Sequence, residues 1–177
     1  MVIWEASPRP PSAAPAWGDG TACRKECVMA GSRTKPLLWS FDALQAEANA
    51  ALDGVLSDDT KLIDGRVLAV KASPARGNST HMIVGAAALP PSFETLRHSH
   101  EADEVAVFLS GRGAVEIDGE RYEVGPGSVL LTPSGAEHVT LSEDADERLT
   151  VLWVYAPPGS ELRWIDPDRH ATHGHAG

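Results

Sequence analysis

From about residue 62 to residue 156 the chain alternates short apolar runs, rich in Val, Leu, Ile and Thr, with Gly, Pro and Asp. Runs this brief, bounded by turn formers, predict strands rather than helices. They fall at 67–72, 81–88, 93–99, 104–110, 113–117, 121–124, 128–132, 137–142 and 147–156. Asp118-Gly119 is a two-residue hairpin signal, with Glu120 read together with its loop. Upstream, Phe41, Leu44, Ala48 and Leu52 recur at helical spacing, which predicts one helix over 41–53. Ser40 is placed to cap its start and Gly54 to end it. One short N-terminal helix followed by many short strands predicts an all-β fold, an antiparallel sandwich or barrel.

Residues 1–36 carry Pro8, Pro10, Pro11, Pro15 and Pro36 among Ala, Ser and Gly, without periodicity, and read as a disordered tail. Residues 167–177, with His170, His173 and His175, read as a flexible second tail. That leaves 37–166 as a single domain, in keeping with a chain of 177 residues. The 15 Lys plus Arg against 25 Asp plus Glu give a net charge of −10. This balance removes the basic face that a nucleic acid or an anionic membrane would require. No apolar run approaches the ~20 residues of a spanning helix, and the proline-broken start has no leader layout, so the cytoplasm is the expected compartment. Cys23 and Cys27 lack a second ligand pair for zinc and read as free thiols.

The chemistry concentrates in two stretches, Arg97-His98-Ser99-His100-Glu101-Ala102-Asp103-Glu104 and Pro133-Ser134-Gly135-Ala136-Glu137-His138. In a strand, residues two apart share a face, so His98 and His100 project together. A turn over 101–103 returns Glu104 beside them, and His138 opens a later strand able to add a third nitrogen. Three neutral imidazoles and one carboxylate suit a single divalent transition metal: Fe(II), Mn(II), Ni(II), Cu(II) or Zn(II). Four protein ligands leave positions at which ligands exchange, the condition for catalysis. By the same alternation Glu94 and Leu96 extend the histidine face and Arg97 points away. Leu96 and Phe108 are the expected walls of a substrate pocket. His81 reads as a strand residue, and Trp153 and Tyr155 share one face of the last strand. The acidic run 143–147 reads as a solvated loop.

The two stretches resemble the paired motifs of the cupin superfamily. His98, His100, Glu104 and Gly111 keep the spacing of its first motif, and Gly127, Pro133, Gly135 and His138 that of its second. Ser92 stands where the first motif often opens with Gly, and Ser142 where the second usually has Asn. The resemblance covers about residues 62–156. It implies a double-stranded β-helix, or jelly roll, with a metal in the barrel mouth, and a homodimer. The function expected from it is a mononuclear metal enzyme acting on a small organic molecule. Fe(II) and dioxygen chemistry lead, with Glu104 as the catalytic carboxylate. The alternatives are a redox-neutral lyase, isomerase or cyclase, and a small-molecule binder without turnover. Fold alone does not decide among them.

Overall fold

The computed structural model describes residues 36–160. The tail residues 1–35, with Cys23 and Cys27, and the C-terminal histidines lie outside them. Helix α1 is Phe41–Leu52, and the strands are β1 Thr60–Ile63, β2 Arg66–Ala72, β3 Ile83–Leu89, β4 Phe93–Glu94 and β5 Asp103–Ser110. They continue as β6 Gly113–Ile117, β7 Glu120–Val124, β8 Val129–Thr132, β9 His138–Ser142 and β10 Leu149–Ala156. Six strands form one sheet in the order β1-β2-β3-β10-β5-β8, and four form a second in the order β4-β9-β6-β7. The paired strands are antiparallel. The fold is all-β, a jelly-roll sandwich. Its main core lies between the sheets, where Leu68, Ile83, Phe108, Leu149 and Trp153 of the large sheet meet Val115 and Val124 of the small one.

Local chemistry explains the element ends. Ser40 is extended (φ −83°, ψ 154°) and its hydroxyl accepts from the Ala43 N–H at 3.1 Å, which fixes the helix start. At the other end Gly54 N–H bonds to Ala51 O and Val55 N–H to Ala50 O, the paired bonds of a Schellman stop. The buried stripe is Leu44, Ala48 and Ala51. Phe41, placed on that stripe by its spacing, is instead 56% exposed. It opens the helix one turn ahead of Leu44. The stripe packs on Val67, Ala69, Ala86 and Ala88, on the outer face of the large sheet. Alanine against alanine lets helix and sheet approach closely, and burying Leu44 there contributes about 2 kcal/mol.

Four further readings change, the first being the strand expected over 93–99, which is limited to Phe93–Glu94 with an isolated bridge at His98. Thr60–Ile63 is a strand that the pattern did not announce, because it is a short edge strand pairing with β2 alone, with Lys61 and Leu62 exposed. Glu120 belongs to β7, pairing with Ile117, so Asp118 and Gly119 alone make the turn. His81 sits on an exposed bend before β3 rather than in it. Ser92, where the first motif often has Gly, has φ +52°, a left-handed turn that glycine would adopt without strain. The acidic run 143–147 is a loop, as its composition predicts.

Candidate functional site

The site is built where β4 and its continuation meet β9. Thr95 N–H bonds to Thr140 O and Thr140 N–H to the Thr95 hydroxyl, each at 3.0 Å. Further on, His98 and His138 exchange both backbone bonds, at 3.0 and 2.8 Å. The chain thus advances three residues, from 95 to 98, while β9 advances two, from 140 to 138. This is a β-bulge, and it reverses the alternation. Thr95 therefore faces inward with His98, while Glu94 and Leu96 turn out. Leu96 is 66% exposed and does not line the cavity, which corrects its assignment as a pocket wall. Phe108 does line the cavity. Arg97 points away, as expected, and pairs with Glu116 at 2.6 Å.

One nitrogen from each of His98, His100 and His138 lies within 4.8 Å of the other two. Glu104 Oε2 is 3.2 Å from His100 Nε2 and 3.5 Å from His138 Nε2. The four residues that the sequence singled out therefore come together. Each histidine is oriented from behind. Nδ1 faces the carbonyl of Leu96 for His98 (2.8 Å), of Ala102 for His100 (2.9 Å) and of Ala136 for His138 (3.0 Å). A carbonyl can only accept, so each Nδ1 carries the proton and donates. In the neutral ring Nε2 is then a lone-pair donor. Two such lone pairs face an acidic oxygen, an arrangement that is repulsive unless a cation, proton or metal lies among them. Three oriented imidazoles with a carboxylate are a donor set that could hold a metal ion, and carbonyl-oriented histidines are the usual support of such sites. Burial pushes the Glu104 carboxyl up, but with a proton shared in the cluster the resulting His100 and His138 bonds and charges outweigh it and bring it down to about 2.

The cavity beside this cluster holds about 620 Å³ of empty space, its open mouth included. Leu68, Phe108, Val115 and Val151 supply apolar wall, and Thr95, Thr132 and Thr140 supply hydroxyls. Trp153 and Tyr155, whose face the sequence left open, both line it. Tyr155 pairs in register with Glu104, and its ring lies 4.6 Å from that of His100. Gly85 makes room for Trp153, since a Cβ there would stand 2.2 Å from the indole. Arg66 also lines the cavity, and the sequence analysis missed it. Its only signal was a charge at the head of the run that becomes β2.

With fold and geometry in hand, similarity to known proteins can be placed. A family described as "Cupin domain" matches residues 86–155, which span the histidines and Glu104. A protein of Streptomyces coelicolor, SCO3923, is 38% identical over 82 residues, 45% of this chain and 74% of its own length. The chain contains a cupin domain. A 5-aminosalicylate 1,2-dioxygenase from a Comamonas species is 32% identical over 107 residues. The dimethylsulfoniopropionate lyase DddW of Ruegeria pomeroyi is 36% identical over 61 residues. Those alignments cover 58% and 34% of this cupin, but only 28% of the dioxygenase and 40% of the lyase. Among solved structures, plu4264 of Photorhabdus luminescens has a TM-score of 0.51 at 19% identity, over 62% of this chain and 90% of that one. An RmlC-like cupin of Shewanella frigidimarina has a TM-score of 0.50 at 14% identity, over 60% and 92% of the two chains. At such identities these two share the fold and nothing further. No helix among the described residues is long and apolar enough to cross a membrane.

Proposed function

We propose that this cupin is a mononuclear metal enzyme that oxidises a small organic molecule with dioxygen. His98, His100, His138 and Glu104 are the residues that hold the ion. The observation that carries the reading is the set of three neighbouring imidazoles with Nδ1 committed to carbonyls, two of which, His100 and His138, turn Nε2 toward one carboxylate. Partial similarity to a dioxygenase supports the oxidative direction. A divalent transition metal in this site, Fe(II) in the leading reading, supplies Lewis acidity and one-electron chemistry toward dioxygen.

The chain's own residues do the rest. The carbonyls of Leu96, Ala102 and Ala136 hold the imidazoles in one tautomer. Glu104 would meet the ion as a carboxylate. It contributes negative charge at the centre rather than acting as a strong base. Phe108, Val151 and Leu68 keep water from the carbon skeleton of a bound molecule. The second reading, a redox-neutral lyase, rests on the partial similarity to DddW.

The test is metal content of protein purified without a histidine tag, paired with oxygen consumption against phenolic, thiol and dicarbonyl compounds. One divalent ion per chain and oxygen uptake with at least one class are expected. Glu104→Gln should lower turnover more than tenfold, about 1.4 kcal/mol of barrier, while keeping most of the metal. Inertness under air with Fe(II), Mn(II), Ni(II) and Zn(II) in turn would sink the oxidative reading. A product formed with Zn(II) under nitrogen would install the lyase reading in its place.

A further inference from the structure

Arg66 is a cation in the wall of the same cavity, and the described residues leave its Nη1 without a partner. The residue is 7% exposed, and its Nη1 is shut off from solvent with no hydrogen-bond partner among the described residues. The contrast with the other arginines is direct. Arg76, Arg97, Arg121 and Arg148 each hold a carboxylate, and Arg112 is exposed to water. Arg66, more buried than any of them, takes part in no ion pair among the described residues. Asp64, Tyr155 and Glu104 act on it only through longer-range charge, while burial opposes its ionised form. A guanidinium keeps its proton even so, and an unpaired buried charge costs several kcal/mol. Such a group calls for a partner that the described residues do not supply.

We propose that Arg66 is the anchor for the carboxylate of a small organic acid bound in the cavity. The shape of the donor matches, since the guanidinium fork takes a carboxylate through two parallel N–H bonds. A second polar hydrogen in the same wall lacks an acceptor: the Trp153 indole N–H is buried and unpartnered among the described residues. The remaining lining suits an apolar carbon skeleton, with Leu68, Phe108 and Val151 around it. Formal charge points the same way. Arg66 and Glu104 cancel, so a divalent ion beside them leaves the pocket positive within a chain of net charge −10. Anion preference is therefore a property of this pocket and not of the molecular surface. The proposal rests on the metal reading only for that last increment of charge.

The test is calorimetric titration of the full chain, stripped of metal, with benzoate and propanoate against benzamide and propanamide. These pairs match in size and differ in charge. At least tenfold tighter binding of one acid over its amide is expected. Arg66→Met should abolish that preference, and Arg66→Lys, which keeps the charge and loses the fork, should retain part of it. The melting temperature of Arg66→Met should stay level or rise, because an unpaired buried charge is replaced by apolar volume. Equal affinity for acid and amide, no binding of either acid at millimolar concentration, or a preference untouched in Arg66→Met would overturn the proposal. Should the Met variant fail to fold, the wild-type preference and its reduction in Arg66→Lys decide. The same pairs titrated into His100→Ala separate the two readings. Failure of the metal assignment leaves the acid preference of the stripped protein intact, and failure of the Arg66 assignment leaves metal content intact.

Discussion

The two faces of the six-stranded sheet treat a buried cation in opposite ways. Arg66 and Lys71 belong to the same strand, β2. Arg66 shares the inner face with Leu68 and Val70, and Lys71 the outer face with Val67 and Ala69. Lys71 Nζ is held by Glu47 at 2.7 Å and by Asp59 at 3.0 Å, and Asp59 also pairs with Arg76. Its ammonium is completed by the chain and ties α1 to the sheet. Arg66 has no such partner among the described residues. Outer-face polar chemistry in this strand is spent on holding the fold, while inner-face chemistry is left open for a ligand. Substitutions on the two faces should therefore fail differently: inner ones lose metal or ligand and keep the fold, outer ones lose stability and keep the site.

The largest effect expected is at His100. His100→Ala removes one of the four proposed ligands and should lower metal content more than tenfold by elemental analysis. The circular dichroism spectrum of the stripped protein should stay unchanged. Stoichiometric metal in that variant would erase the distinction between the faces.

Next comes the outer face. Ala86 is fully buried beneath α1, so Ala86→Leu overpacks the helix–sheet seam and should cost about 1–3 kcal/mol. Thermal denaturation should show a fall of several degrees with metal content unaltered.

Lys71→Met is milder, about 1 kcal/mol, because Glu47 and Asp59 are partly solvated. Its pH dependence identifies the cause. Burial pushes Asp59 up, but bonds from Lys71 and the charge of Arg76 outweigh it and hold the carboxyl below its ordinary 3.8. Burial pushes Lys71 down, but Glu47 and Asp59 outweigh it and hold the ammonium above its ordinary 10.5. The stability gap between wild type and variant should be complete from about pH 4 to about pH 10. It should close as acid protonates Asp59 below that window or base deprotonates Lys71 above it. A gap that does not change with pH would show that packing, not charge, is lost.

Leu96→Ser should do least. An exposed side chain outside the cavity is worth less than about 0.5 kcal/mol, and metal content and acid binding should match wild type. A loss of acid binding would return Leu96 to the pocket.

The chemical inventory of the site was readable along the chain because it depends on local spacing. His98 and His100 are two apart, Glu104 follows a short turn, and His138 opens β9 after Pro133 and Gly135. Antiparallel pairing converts those spacings directly into proximity. The Ser40 cap, the Gly54 stop and the Asp118-Gly119 turn were equally local, and each stands where its residues place it.

Parts of the site that depended on one strand's register against another escaped the pattern. The bulge between Thr95 and His98 is set by which β9 residues lie opposite, and nothing in Thr95-Leu96-Arg97 marks it. One added residue therefore moved Leu96 from wall to surface. Arg66 fell just outside the run read as a strand, 67–72, and it was the folded sheet that set it in the wall of the cavity with Glu104 and Tyr155. Whether Trp153 and Tyr155 faced in was undecidable from their alternation, which names two faces without saying which is covered. The residues of the cluster follow from the linear order of the chain. The lining of the cavity, and with it what the site can select, was decided only when two sheets closed over one another, because facing direction is a property of paired strands and not of any strand alone.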